Sequence, residues 1–317
     1  MTPFMQMRER IRNFISTHEV ACTRVGHGFL MLLGLVVIMR VFPFASGLNR
    51  PWIVVALTIL GVFMPLNTEA AVLLVVLLLN LFALSNEVAL VACALFFVSY
   101  LCCMVYRARR LYQVVGLALA RQIALPYLIP MESALLGSGN EVVTVLCGAV
   151  MSFFLQEVYI NAGVLMEGEG QMAIMDFLQE KLVSNQMFYV YLLAMVALFL
   201  VVYFVRTRNI DHAWTVAVVA GVSVEFLIML SGVLLIGTNN LPGLLGSNMA
   251  TLLFGLAIVY IYQDLDYSRI ERVQFEDDEY YYHVTAVPKI RLTEEKKEVR
   301  HIHRSRNRGR VRKERDK

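Results

Sequence analysis

Along most of this chain apolar residues come in long blocks instead of alternating with polar ones. A spanning helix needs about 20 mostly apolar residues, with roughly 17 as a lower limit. Blocks of this kind predict spans at residues 29–44, 88–106, 142–160, 187–205, 213–236 and 248–262. Residues 52–66 and 70–84 form a tighter pair around Asn67-Thr68-Glu69, each short for a crossing. The pattern therefore predicts an all-α, polytopic transmembrane bundle of about eight spans. The bundle occupies residues 28–262, between an N-terminal helical segment (1–27) and a C-terminal tail (263–317).

Two segments break the pattern. Within residues 4–18, Phe4, Met7, Ile11, Phe14 and Ile15 share one helical arc, with Arg10, Arg12 and Asn13 on the other. That predicts an amphipathic helix in the plane of the membrane interface or on the protein's own loops. The apolar stretch 114–136 contains Arg121, Gln122, Pro126, Pro130 and Glu132. Both prolines remove a backbone donor and push the preceding residue away from helix.

Charge decides how this second segment is read. Lys and Arg collect beside span ends in cytoplasmic loops, and here they cluster at Arg8, Arg10 and Arg12, at Arg107, Arg109 and Arg110, at Arg206 and Arg208, and in the tail. Placing all four clusters on the cytoplasmic side requires the stretch 111–186 to cross an odd number of times. Segment 142–160 then crosses, and 114–136 is a Pro-broken or re-entrant element that enters and leaves on the same side. Non-helical backbone at that depth survives only where protein or water satisfies it. Residues 161–186 fall outside, with Ile174, Met175, Leu178 and Leu182 on one face of a surface helix.

Composition agrees: 58% of the 317 residues are hydrophobic and 17% charged, whereas globular domains average about 25% charged. About half of the Lys and Arg follow Gln263. Cys22, Cys93, Cys102, Cys103 and Cys147 have no zinc or disulfide spacing and read as small buried hydrophobes. No phosphate loop, nucleophile elbow or zinc-protease motif is present, and the histidines do not cluster within the apolar spans. No catalytic residue, metal or cofactor is expected. The first span, followed by Arg40 and Pro43 instead of a small-residue cleavage site, is expected to stay uncleaved.

Ionisable residues inside a membrane are functional candidates by default. Glu225 lies mid-span, with Gly221, Ile228 and Gly232 on its face; it is read either as a proton- or cation-coupling carboxyl or as a structural one, hydrogen-bonded to a neighbour or paired with Arg121 or Arg40. Arg121, Glu132 and Glu141 belong to the broken element and its exit, with Pro126 and Pro130 as its hinges. Half-helix ends there can bind ions or small anions; the alternative places these charges at headgroup level. A faint echo joins Leu135-Leu136-Gly137-Ser138-Gly139-Asn140 to Leu244-Leu245-Gly246-Ser247-Asn248. Thr144 and Thr251 follow each Asn by about one turn and Gly148 and Gly255 by about two. Each Asn could cap the helix that follows. The two helices should run in opposite directions, as inverted repeats would.

The tail is acidic up to Glu279, then aromatic and β-branched from Tyr280 to Val287. The latter stretch is expected to pair with Ile290–Leu292 in a short β-hairpin over residues 280–292. Residues 300–317, with Arg304, Arg306, Arg308, Arg310 and Arg312, read as a disordered basic end. Tethered at a membrane, it finds anionic lipid headgroups nearer than nucleic acid. These readings leave two functions open: a permease or transporter-like membrane subunit, or a non-catalytic scaffold that recruits a cytoplasmic protein through its tail. The absence of organelle-targeting features makes a bacterial plasma membrane the default location.

Overall fold

A computed structural model describes residues 3–108, 110–167, 176–208, 212–237, 241–262, 271–276 and 281–286. It divides into two units, Met1–Gln263 and Asp264–Lys317. The first is helical: α1 (Pro3–Thr17), α2 (Glu19–Val41), α3 (Pro51–Gly61), α4 (Leu66–Leu84), α5 (Asn86–Val105), α6 (Leu111–Ala120), α7 (Leu128–Leu136), α8 (Val142–Ile160), α9 (Ala162–Glu167), α10 (Gln186–Arg206), α11 (Ala213–Ile236) and α12 (Leu241–Tyr262). A 3₁₀ turn, Gly139–Glu141, leads directly into α8. Among the described residues, seven helices are long and apolar enough to cross a membrane: α2, α4, α5, α8 with its leading turn, α10, α11 and α12. The chain is a polytopic membrane-type helical bundle.

Two expected spans have different ends. The first begins at Glu19 and ends at Val41, not 29–44, so α2 takes in Arg24 and His27. The last begins at Leu241, with Pro242 in the first turn, where its missing N–H costs nothing. Pair 52–66 and 70–84 departs further. Asn67, Thr68 and Glu69 form the first turn of α4 and not a linker, and α3 has only 11 residues. At 1.5 Å per residue it spans about 16 Å, roughly half of a 30 Å hydrocarbon layer. The eighth full-length span is therefore not formed.

The direction it would have supplied is nevertheless kept. His27 meets Glu69, Gly34 meets Leu73, and the backbone N–H of Ala45 donates to Asn80 Oδ1 at 3.2 Å. Rising numbers on α2 face rising numbers on α4, so these helices are parallel. Between them α3 returns the chain, its end Gly61 lying against Met31. The short helix and its flanking turns do the work of a crossing. The start of α2 and the end of α12 consequently lie on one face of the bundle.

The broken element is a re-entrant hairpin. Gln113 bonds Glu141, Leu117 abuts Gly148 and Arg121 stacks on Phe153, so α6 runs parallel to α8. Ile129 abuts Gly116 and Tyr112 bonds Glu132, so α7 runs back beside α6 to the face it left. The tip is the 3₁₀ turn Arg121–Ile123, followed by Ala124 with φ 58° and the Pro126 corner. Pro130 sits in the first turn of α7, where proline starts a helix without breaking it.

Two apolar cores flank this hairpin. One joins α2, α4, α5 and α6 with Met151, Phe154, Leu155 and Val158 of α8. The other joins α7, α10, α11 and α12 with Val145, Ala149 and Phe153 of α8. Helix α8 and the hairpin thus sit between two sub-bundles. Lipid gives no hydrophobic drive between helices, so close approach at small residues matters. A Cβ at Gly221 would overlap Val202, one at Gly232 would lie 2.6 Å from Val190, and one at Gly255 2.8 Å from Val218. In the segment before α10, Leu182 is buried and Phe177 and Leu178 pack on the first core; Ile174 and Met175 lie outside the described residues.

In α1, Met7, Phe14 and Ile15 are exposed, as an interfacial helix requires. The tail forms an antiparallel hairpin, but its partner strand differs from the expected one. Tyr281–Ala286 pairs with the upstream Glu271–Glu276, in the register Phe275↔Tyr282 and Val273↔Val284. Residues 287–317, including Ile290–Leu292 and the arginine-rich end, lie outside the described residues. Within the acidic run, Val273 and Phe275 alternate with polar residues, a pattern that can pair as a strand.

Reporter fusions test this layout. Junctions after Arg110, Gly137 and Arg208 should all report one side of the membrane and a junction after Ser184 the other. Opposite sides for Arg110 and Gly137 would replace the hairpin with a full crossing.

Candidate functional site

Charged and polar side chains gather in two layers along the hairpin. The first lies at its base, where α6 starts, α7 ends and α10 ends. Helix α7 stops at Leu136, and the last carbonyls of a helix need donors from outside it. Arginines supply them. Arg206 donates through Nη1 to the Leu135 carbonyl and through Nη2 to that of Gly137 at 3.1 Å. Arg110 Nη2 donates to the Leu136 carbonyl at 3.4 Å. Cations at a helix C-terminus also complement its dipole.

The same Arg110 joins the two carboxylates expected at this element, lying 3.6 Å from Glu132 Oε1 and 3.2 Å from Glu141 Oε1. Gln113 Nε2 donates to Glu141 Oε2 at 3.1 Å, and Thr144 Oγ1 donates to Gln113 Oε1 at 2.8 Å. Tyr112 donates to Glu132 Oε1 at 3.3 Å. Glu141 is buried. Gly137 tolerates no side chain, because a Cβ there would overlap the Glu141 carboxylate and the Ser133 carbonyl oxygen. Base and hairpin exit are locked together by this network.

The second layer lies at the tip. Arg121 packs beside Phe153, about 12 residues or ~18 Å along α8 from Glu141, and beside Tyr191, about five residues or ~8 Å into α10 from its opposite end, within the apolar layer. Its guanidinium packs 3.9 Å from the Tyr191 ring centroid and 4.8 Å from that of Phe153. Tyr191 shares a 2.9 Å hydrogen bond with Ser152. Across Tyr127, which is in electrostatic reach of Arg121, Tyr191 and Glu225, lies the α11 carboxyl. Glu225 is 1% exposed. Neither of its oxygens has a well-aligned hydrogen bond among the described residues; Tyr127 and Asn248 are the polar side chains that face it. No ion pair joins Glu225 to Arg121 or Arg40 among the described residues.

The sequence echo divides. Gly148 and Gly255 are both close-approach points, against Leu117 and Val218. Thr144 and Thr251 are both buried, and α8 and α12 do run in opposite directions: α10 is antiparallel to α8 (Ser152 with Tyr191, Gly139 with Tyr203), α11 to α10 (Gly221 with Val202, Gly232 with Val190) and α12 to α11 (Gly255 with Val218, Asn248 with Glu225). Capping fails at both asparagines. Asn140 is exposed in the 3₁₀ turn before α8, and no side-chain cap forms there. Asn248 lies two turns inside α12, donating to the Leu244 carbonyl at 3.0 Å. Gly246 lies inside that helix, with open space where a side chain would stand. Helix α12 starts early because nothing after Pro242 stops it.

Four contributors were not singled out from sequence: Tyr127, Tyr191, Gln113 and the pair His27–Glu69. Glu69 is 3% exposed with His27 Nδ1 at 3.3 Å. Reading Asn67-Thr68-Glu69 as a turn hid that pair. Tyr127 carried a usable signal, as an aromatic phenol directly after the Pro126 corner. On the opposite face, Lys181 contacts Glu180 at 2.7 Å, and that carboxylate raises the ammonium's pKa.

Replacing Arg206 by Ala should strip two carbonyls of donors and cost about 2–3 kcal/mol, as for hydrogen bonds to charged groups. Arg206→Lys should recover part of it, read as the melting midpoint in detergent. Gly137→Ala should lower the same midpoint, because one of the clashing atoms is backbone. Comparisons of the chain with protein-family models, with curated proteins and with solved structures find no match.

Proposed function

We propose that this chain is a permease-type membrane protein that works by alternating access, with Glu225 as its coupling carboxyl. The observation that carries this reading is a fully buried, mid-bilayer carboxyl whose oxygens lack aligned hydrogen bonds. It lies where a re-entrant hairpin meets the second of two sub-bundles. Such a carboxyl exchanges a proton or small cation as its surroundings change. Transporter sites of this type lie near the midplane at broken helices, with one bundle rocking against the other. The hairpin and α8, between the two cores, are the natural pivot, and the arginine clasp holds the hairpin base during that motion. Positive charge on the face bearing Arg110, Arg206 and the start of α2 supports a cytoplasmic side there, with both termini on it and the plasma membrane as the location.

Proteoliposomes challenged with pools of amino acids, organic acids and sugars test this by charge displacement on a solid-supported membrane. Wild type should give a current for one pool. Glu225→Gln should lose it while remaining monodisperse. Full current in that variant removes the carboxyl from the mechanism.

One observation favours a second reading: the tail is a separate unit with its own β-hairpin. As a scaffold, the protein would recruit a cytoplasmic partner through that unit, with Arg304, Arg306, Arg308, Arg310 and Arg312 on anionic lipid. Deleting Asp264–Lys317 should then abolish function with the bundle intact, whereas the permease reading expects transport current to survive the deletion.

A further inference from the structure

We infer that the hairpin tip is a binding site for the carboxylate of a small organic acid, with Arg121 and Gln122 as its donors. This rests on the permease reading only for its purpose; the binding itself does not need transport. A guanidinium carries its charge wherever it sits, and a charge near the bilayer centre requires compensation. Arg121 does not receive it by contact. Among the described residues it has no ion pair and no hydrogen bond, only the two ring faces of Phe153 and Tyr191. Ring faces satisfy the plane of a guanidinium and leave its edge, a fork of N–H donors, unoccupied.

The nearby charges do not close the account. Glu157, one turn above Phe153 on α8, is in electrostatic reach of Arg121 but also of Lys181, so one carboxylate serves two cations. Glu225 faces Tyr127 and Asn248 instead. Beside Arg121, the Gln122 Nε2 amide is buried with no acceptor. Two neighbouring donor groups, one charged, thus lack an acceptor at the same depth.

The ligand class follows from their chemistry. A fork of parallel N–H donors matches a planar carboxylate bidentately, and the amide adds a third donor. Desolvation at this depth penalises a multiply charged anion far more than a monoanion, which disfavours phosphate. Beside the guanidinium, Ile123, 39% exposed at the tip, offers an apolar surface, while Phe153 and Tyr191 lie buried beneath it. Arg121 is itself only half-buried, and the hairpin stops within the apolar layer, so the approach is from the face opposite its base.

The test is binding to the full chain in nanodiscs without any gradient, read as the melting midpoint against benzoate, acetate and inorganic phosphate. Benzoate should raise the midpoint saturably, at a lower half-saturating concentration than inorganic phosphate. Arg121→Gln should abolish the shift, and Arg208→Gln, which removes an exposed arginine, should keep it. Arg121→Lys and Gln122→Leu should each weaken half-saturation by about tenfold, the loss of one hydrogen bond to a charged group. These two variants decide the matter if Arg121→Gln does not purify as a monodisperse protein. Unchanged half-saturation in both, a shift that persists in Arg121→Gln, or no saturable shift in wild type overturns the site. A preference for phosphate overturns the ligand class. Because no transport is measured, loss of current in Glu225→Gln and loss of binding here fail independently.

Discussion

Backbone carbonyls cannot be left bare in hydrocarbon, and that constraint organises this molecule. The helix that returns the hairpin ends inside the bundle's base, and its last carbonyls, with no further turn to pair with, need donors there. Arg110 and Arg206 answer this from two different helices, one at the start of the hairpin and one at the end of α10. Each arginine also has a second task. Arg110 holds Glu132 and Glu141 together, while Arg206 packs against Tyr203 and Trp214. The hairpin is therefore anchored at its base and comparatively free at its tip.

That asymmetry shapes the site. At the base, both carboxylates are engaged with Arg110, which favours structure over exchange. Toward mid-bilayer, opposite charges face aromatic rings and phenols instead of each other. Arg121 lies against Tyr191 and Phe153, and Glu225 lies against Tyr127. Direct pairing in a low dielectric would make a strong, static contact. On the permease reading, that separation leaves the guanidinium open to a ligand and the carboxyl open to a proton.

The two sub-bundles give this chemistry a mechanical setting. The first is closed by a short returning helix, α3, lodged against Met31 through Gly61. The second is joined by glycines at Gly221, Gly232 and Gly255, each touching a valine of the neighbouring helix. Helix α8 gives one face to each core, and α6 and α7 divide likewise. Movement of one half against the other would be felt first at the tip, where Arg121 belongs to the boundary and Glu225 to the second half.

Much of this was legible in the order of residues, since hydrocarbon thickness converts block length directly into span placement. The re-entrant element could be read because three local signals agree: Pro126 and Pro130 interrupt the helix, Arg121 and Glu132 interrupt the apolar run, and the arginine clusters constrain parity. Glu225 stood out because a lone carboxyl in a 24-residue apolar helix is costly. Contacts between distant segments decided the rest. Block length could not reveal that α3 is too short yet still returns the chain, because direction is set by His27, Gly34 and Ala45 meeting Glu69, Leu73 and Asn80. Nor could spacing show that Asn248 lies inside a helix, or that Arg121 rests on rings from α8 and α10 and does not reach Glu225. Periodicity reports which environment a residue prefers; which partner it meets depends on helix rotation and depth, and those are set by packing across the whole bundle.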